Sequence, residues 1–181
     1  MELYLLRHGA AEDSNRAGDA ARELTAVGRE KVASVIRTAT AAGMKPSVVL
    51  SSPYIRAKQT AEFAGSYTMI DSLVPYGTPE GVWNDVRDYP DEPAVLLVGH
   101  EPLLSTLAAW LLGTPALQVD MKKSALIRID VGSTRGQSWA APSLSAERCA
   151  STACCASRKD RCSSALAILS TARARPSMMK F

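Results

Sequence analysis

Apolar residues in residues 1–137 gather in short continuous runs, separated by polar stretches, some with helical spacing. Residues 2–6 (ELYLL) form such a run and stop at Arg7-His8-Gly9. A brief block rich in Leu and Tyr suits a buried strand. Residues 10–23 are small and polar and read as a loop. From Thr25 the period changes, because Val32, Val35, Ile36 and Ala39 fall on one face of a helix. Gly43, with Pro46 beyond it, supplies the stop. Residues 47–51 (SVVLS) are β-branched enough for a second buried strand. Ser52-Pro53 follows at once and predicts a helix start, with serine as N-cap and proline in the first helical position. That helix carries Arg56 in its first turn and is expected to reach Ala64.

Residues 65–93 are less regular, with prolines at 75, 79, 90 and 93 and a short helix expected over 80–87. Residues 94–98 (AVLLV) are the clearest strand in the chain and end at Gly99-His100-Glu101-Pro102. Pro102 then opens a helix bearing Leu103, Leu104, Leu107, Trp110 and Leu111. Residues 124–131 read as a last strand, and 132–134 as a turn. Strands alternating with helices predict an α/β fold of three layers, α/β/α, around a mostly parallel sheet.

Composition changes this picture in one place. The chain has 181 residues, 46% hydrophobic and 22% charged, which suits a globular protein with a substantial core. No apolar run approaches the ~20 residues of a membrane span. The first residues lack a basic leader and place Arg7 and His8 where an apolar segment would lie, so a cytoplasmic location is expected. Residues 138–181 differ in kind: they hold ten Ala, nine Ser and all four Cys, with almost no apolar period beyond 165–169. They also hold seven Lys/Arg against two Asp/Glu, which leaves fourteen against sixteen in residues 1–137. The formal charge of +3 therefore belongs to the tail and argues against a nucleic-acid surface on the main domain. Cys149, Cys154, Cys155 and Cys162 lack paired C-x-x-C spacing and have no histidine near them, so neither a metal site nor a disulfide framework is expected. The chain divides into a domain over 1–137 and an Ala/Ser/Cys-rich tail over 138–181, either loosely ordered or out of frame with its ancestral coding sequence.

The candidate chemistry lies at strand ends. Only two histidines occur, His8 after the first strand and His100 after the third. In an open parallel sheet, ligands bind beyond the carboxyl ends of the strands. Arg7 shares that edge, and Arg56 lies just past the second strand. Arginine presents a planar fork of donors matched to phosphate oxygens, and helix starts add free N–H groups. No Gly-rich phosphate loop and no carboxylate cluster accompanies them. The expected ligand is a dianionic phosphoryl group bound without metal or cofactor.

Three segments carry a family resemblance. L-Y-L-L-R-H-G at 3–9 resembles the R-H-G signature of the histidine phosphatase (phosphoglycerate mutase-like) superfamily. S-S-P-Y-I-R-A-K-Q-T-A at 51–61 resembles its second arginine motif, and V-G-H-E-P at 98–102 its second histidine motif. The short length is similar to that of SixA-type phosphohistidine phosphatases. The resemblance covers residues 1–137 and implies a minimal phosphoglycerate mutase-like fold without a large cap insertion. It implies that His8 accepts the phosphoryl group while Arg7, Arg56 and His100 bind its equatorial oxygens. It also implies a phosphate-facing role for Arg22, although the R-P-L-T of that type reads R-E-L-T here, with Glu23 in place of proline.

The general acid is not evident. Larger members carry it on an insertion before the second histidine, but only 43 residues separate Arg56 from His100. Glu80 is the candidate by order along the chain. A phosphohistidine needs an acid less than an alkyl ester does, because imidazole leaves after protonation by solvent. The expected activity is therefore a metal-independent phosphatase acting on phosphohistidine in a signalling or phosphotransfer protein, and working as a monomer without nucleic acid or membrane. A small-molecule phosphomonoesterase with the same nucleophile is the alternative, as is a phosphoprotein-binding module without turnover.

Overall fold

The computed structural model describes residues 1–114 and 116–131. The expected turn at 132–134 and the tail at 138–181, with its four cysteines, lie outside the described residues. The elements run β1 (Glu2–Arg7), α1 (Ala26–Ala41), β2 (Val48–Ser51), α2 (Ile55–Ala61), β3 (Thr68–Met69), α3 (Pro79–Val86), β4 (Ala94–Gly99), α4 (Leu103–Leu111) and β5 (Leu126–Asp130). The sheet order is β3-β2-β4-β1-β5. Every pairing is parallel except that of β5, which runs antiparallel to β1.

Strand β4 sits at the centre and all six of its residues are buried, which explains its unbroken apolar run. Alternate residues face opposite layers. Leu3, Leu5, Val95 and Leu97 pack with α3 and α4 through Val82, Trp83, Leu104 and Leu107. Tyr4, Leu6, Leu96 and Val98 pack with α1 and α2 through Val32, Val35, Ile36 and Ala57. Each large side chain buried in this way stabilises the fold by roughly 1.5–3 kcal/mol. The three-layer α/β/α architecture with a mostly parallel sheet is thus present. No helix among the described residues is long and apolar enough to cross a membrane.

Helix α1 starts where the sequence places it. Thr25 is its N-cap and accepts from the Gly28 backbone N–H at 3.0 Å. Gly28 lets this first turn lie directly on the segment after β1, since a Cβ there would stand 2.0 Å from the Ala10 carbonyl oxygen. Three expectations need correction. Ser52 is no N-cap: α2 begins at Ile55 after Tyr54 and gives way at Glu62 to a short 3-10 turn. The Ser52 hydroxyl instead meets His100 at 2.9 Å, and also accepts from Tyr54 N–H at 3.4 Å ahead of the helix. The two-residue edge strand β3 lies in the stretch that showed no pattern, because both its residues are exposed. β5 is shorter than the run 124–131, because Ser124 adopts a left-handed backbone (φ 65°) that a strand cannot hold.

Candidate active site

The site follows from strand register. β1 and β4 are parallel, with Arg7 opposite Gly99, so His8 and His100 are the next residues on neighbouring strands. Their ring centroids lie 4.9 Å apart. β2 pairs with the other edge of β4 through Ser51 and Val98, which brings Ser52 to the same rim. The backbone at His8 is held from both sides, its N–H donating to the Gly99 carbonyl at 3.1 Å and its carbonyl accepting from Ser124 N–H at 3.1 Å.

Helix α2 presents one face to this rim. Arg56, Gln59 and Thr60 share that face at helical spacing. The Thr60 hydroxyl accepts from Gly9 N–H at 3.2 Å, and Gln59 accepts from Leu24 N–H at 2.7 Å. These contacts fix the segment after β1 against the helix that supplies Arg56.

The hydrogen bonds at His8 determine its tautomer. Nδ1 lies 2.7 Å from the Gly9 carbonyl, an acceptor, so Nδ1 carries the proton. Nε2 receives a hydrogen bond from Arg56 Nε at 3.3 Å, so Nε2 holds a lone pair. Burial removes water that would solvate the imidazolium and brings the His8 pKa down from 6.5 to about 4. The charges of Arg56, Arg7 and Lys123 act in the same direction, while the Gly9 hydrogen bond opposes them. His100 falls to about 3, again chiefly through burial and then through the neighbouring His8 and Arg56. Its Nε2 is committed to Ser52 Oγ at 2.9 Å, whereas Nδ1 is buried with no partner among the described residues. Both rings are therefore neutral at pH 7.

Arg56 is 5% exposed, and each of its three nitrogens donates one hydrogen bond. Besides its contact with His8, Nη1 donates to the Asp19 carbonyl at 2.6 Å and Nη2 to the Asp19 carboxylate at 2.9 Å. Arg22 donates to the other carboxylate oxygen of Asp19 at 2.7 Å and to the Glu12 carbonyl at 2.5 Å. Arg22 thus reaches the site through Asp19, whose carboxyl is held below its usual range by Arg22 and Arg56. Arg7 donates from Nη1 to the Met121 carbonyl at 2.5 Å, while its Nε is buried and unpartnered. Glu80 stands exposed in the first turn of α3, with no hydrogen bond or ion pair to any of these groups among the described residues.

Sequence reasoning missed four residues here. Asp19 links the two arginines, and its only sequence signal was its i, i+3 spacing to Arg22. Ser52 orients His100. Glu101 feels the charge of Arg7, and its carboxyl is raised by burial and accepts from Ser105. Lys123 lies in a loop of no recognisable pattern, yet its charge acts on His8. Together Arg7, Arg22, Arg56 and Lys123 outnumber the acidic groups named here, Asp19 and Glu101, a balance suited to a dianion. Among the described residues no group of three His, Cys, Asp or Glu side chains could hold a metal ion. A cavity of 560 Å³ between α4 and residues 117–120, lined by Ser105, Trp110, Val119 and Asp120 among others, contains neither histidine.

One pH dependence follows from the two depressed histidines. An unfolded chain takes up protons on them below about pH 6.5, whereas the fold does not until about 4 and 3. The unfolded state then binds more protons, so stability falls as pH drops through that window and is independent of these groups above it. Denaturant melts across pH 4–7 are expected to show this slope. The acid limb of kcat/KM, corrected for substrate ionisation, is expected near pH 4 instead of 6.5.

Comparisons with known proteins agree with this geometry. Residues 3–73 match the family model of the histidine phosphatase superfamily (branch 1). An uncharacterized protein from Picosynechococcus sp. is 31% identical over 147 residues, covering 76% of this chain and 89% of that protein. The structure of the protein histidine phosphatase SixA complexed with tungstate is similar at TM-score 0.64 and 27% identity, covering 72% of this chain and 88% of that one. The alpha-ribazole phosphatase from Shigella flexneri shares the fold at TM-score 0.58 and 22% identity, over 72% of this chain and 90% of its own. This chain belongs to the histidine phosphatase superfamily.

Proposed function

We propose that the protein is a phosphohistidine phosphatase that forms a covalent phosphoenzyme on His8. The observation that carries this reading is the state of His8: a neutral ring with Nδ1–H held by the Gly9 carbonyl and the Nε2 lone pair facing the Arg56 guanidinium. A nucleophilic histidine needs that arrangement. In the first step His8 Nε2 bonds to phosphorus, the bond to the leaving nitrogen breaks, and solvent protonates the departing imidazole. Arg56 transfers its Nε hydrogen bond from His8 to a phosphoryl oxygen. Arg7 and the uncommitted Nδ1 of His100 serve the remaining oxygens, and Arg22 acts through Asp19. Water then attacks phosphorus, the phosphoryl–His8 bond breaks, and phosphate leaves.

Two features support a protein substrate. The 43 residues between Arg56 and His100 hold the rest of α2, then β3, α3 and β4 with short connections, too few for a sizeable cap over the rim. The SixA structure to which this chain is similar is that of a protein histidine phosphatase. The similarity to the alpha-ribazole phosphatase is one of fold alone and does not favour a small ester.

A substrate panel tests this reading. A phosphohistidine-bearing phosphotransfer protein is expected to be turned over with a kcat/KM at least roughly a hundredfold above that for sugar phosphates, the scale expected where an alkoxide must leave without a positioned acid. Faster hydrolysis of sugar phosphates would replace it with the phosphomonoesterase reading. Absence of turnover on every substrate, with phosphate still bound, would leave a binding module.

A further inference from the structure

Lys123 belongs to no sequence motif, and the site described above gives it a charge acting on His8 but no contact of its own. It occupies the corner of a tight turn, Lys122–Ala125, closed by Ala125 N–H donating to the Lys122 carbonyl at 2.8 Å. The next residue, Ser124, holds φ at 65°, a left-handed conformation unfavourable for a non-glycine residue. Strain of this kind persists only where surrounding contacts impose it. Here the contacts all come from the end of β1. Ser124 N–H donates to the His8 carbonyl at 3.1 Å, Arg7 N–H donates to the Ala125 carbonyl at 3.0 Å, and the Arg7 guanidinium donates to the Met121 carbonyl at 2.5 Å. The turn is thus clamped onto the two residues that carry the first motif.

That clamp puts the Lys123 Cα one peptide away from a group bonded to the His8 backbone. A lysine side chain is long enough to reach past it to the rim. Lys123 is exposed and forms no ion pair among the described residues, whereas Arg56 and Arg22 are both occupied by Asp19. Like the Arg7 guanidinium, its ammonium has no competing carboxylate at 4.0 Å or less among the described residues, and its charge already acts on the His8 ring.

We propose that Lys123 is a further phosphoryl-binding residue, which closes its ammonium onto an oxygen of the transferring group from the turn clamped to the end of β1. This deepens the reading of the rim as a phosphoryl site and rests on it. Lysine suits the task because a compact charge on a flexible stem can follow the oxygen as phosphorus moves toward His8.

The test uses the full chain and inorganic tungstate as a tetrahedral dianion, titrated calorimetrically, together with turnover of an aryl phosphate. Lys123→Ala is expected to weaken tungstate binding roughly tenfold and to lower kcat/KM by a similar factor, the scale of one hydrogen bond to a charged group. Lys123→Arg is expected to restore most of both. Lys122→Ala, one residue away and equally exposed, is expected to change neither by more than about twofold. Equal losses in Lys122→Ala and Lys123→Ala would show a diffuse field effect and overturn the proposal. So would a Lys123→Ala protein that binds tungstate like the parent. If the parent chain itself fails to bind tungstate, it is the phosphoryl-site reading that falls.

Discussion

Replacing His8 by asparagine is expected to lower kcat by roughly 10⁴-fold or more, because the substitution removes the attacking atom and no other group can supply it. His100 is the nearest alternative, but its Nε2 is committed to Ser52 and burial leaves the ring a still weaker base than His8. The loss should appear in kcat, with tungstate affinity kept within a few fold, since Arg7, Arg56 and His100 remain. That division separates chemistry from misfolding, which would remove binding as well. His8 is 7% exposed, so circular dichroism and a thermal melt should accompany the kinetics. A variant that keeps more than a hundredth of parental kcat would point to direct attack by water and away from a phosphoenzyme.

Arg56→Ala carries the second largest effect, an expected fall in kcat/KM of roughly 10³-fold, the scale of an arginine acting on a transferring phosphoryl group. The guanidinium does two things at once. It donates to the His8 Nε2 lone pair, which keeps Nε2 unprotonated and aimed at the rim, and on the proposed mechanism it would pass to the phosphoryl oxygen during attack. Removing it also frees the Asp19 carboxylate from one of its two arginines, placing a less compensated negative charge beside an incoming dianion. Arg56→Lys should recover little, because one ammonium cannot serve His8, the Asp19 carbonyl and the Asp19 carboxylate together. Asp19→Asn distinguishes support from chemistry. It retains an oxygen acceptor for the arginines and should cost no more than about tenfold. A loss as deep as that of Arg56→Ala would mean that the carboxylate itself takes part in the reaction.

Much of this was legible in the chain because parallel strands declare themselves. Apolar blocks such as residues 94–98 must be buried on both faces, and the motifs begin where those blocks stop. The convergence of Arg7, His8, Arg56 and His100 followed from strand ends alone. The register did not. That His8 and His100 are direct neighbours depends on β4 inserting between β2 and β1, an order that alternation of elements leaves open. Ser52 was misread because an N-cap serine and a serine that orients a histidine look the same before the fold brings β2 and β4 together. β3 carried no pattern because its two residues are exposed at the sheet edge. Asp19, at the start of a single 3-10 turn, and Lys123, in a tight turn, lie in polar stretches where position is set by tertiary contacts and not by period.

A covalent bond between phosphorus and His8 is detected directly by rapid quench of the full chain with a phosphorus-labelled substrate. Base-stable, acid-labile label should accumulate on the protein within the first turnover, map by mass spectrometry to the peptide containing His8, and be absent from His8→Asn. Turnover without any such label, or label on His100 or another residue, would contradict it.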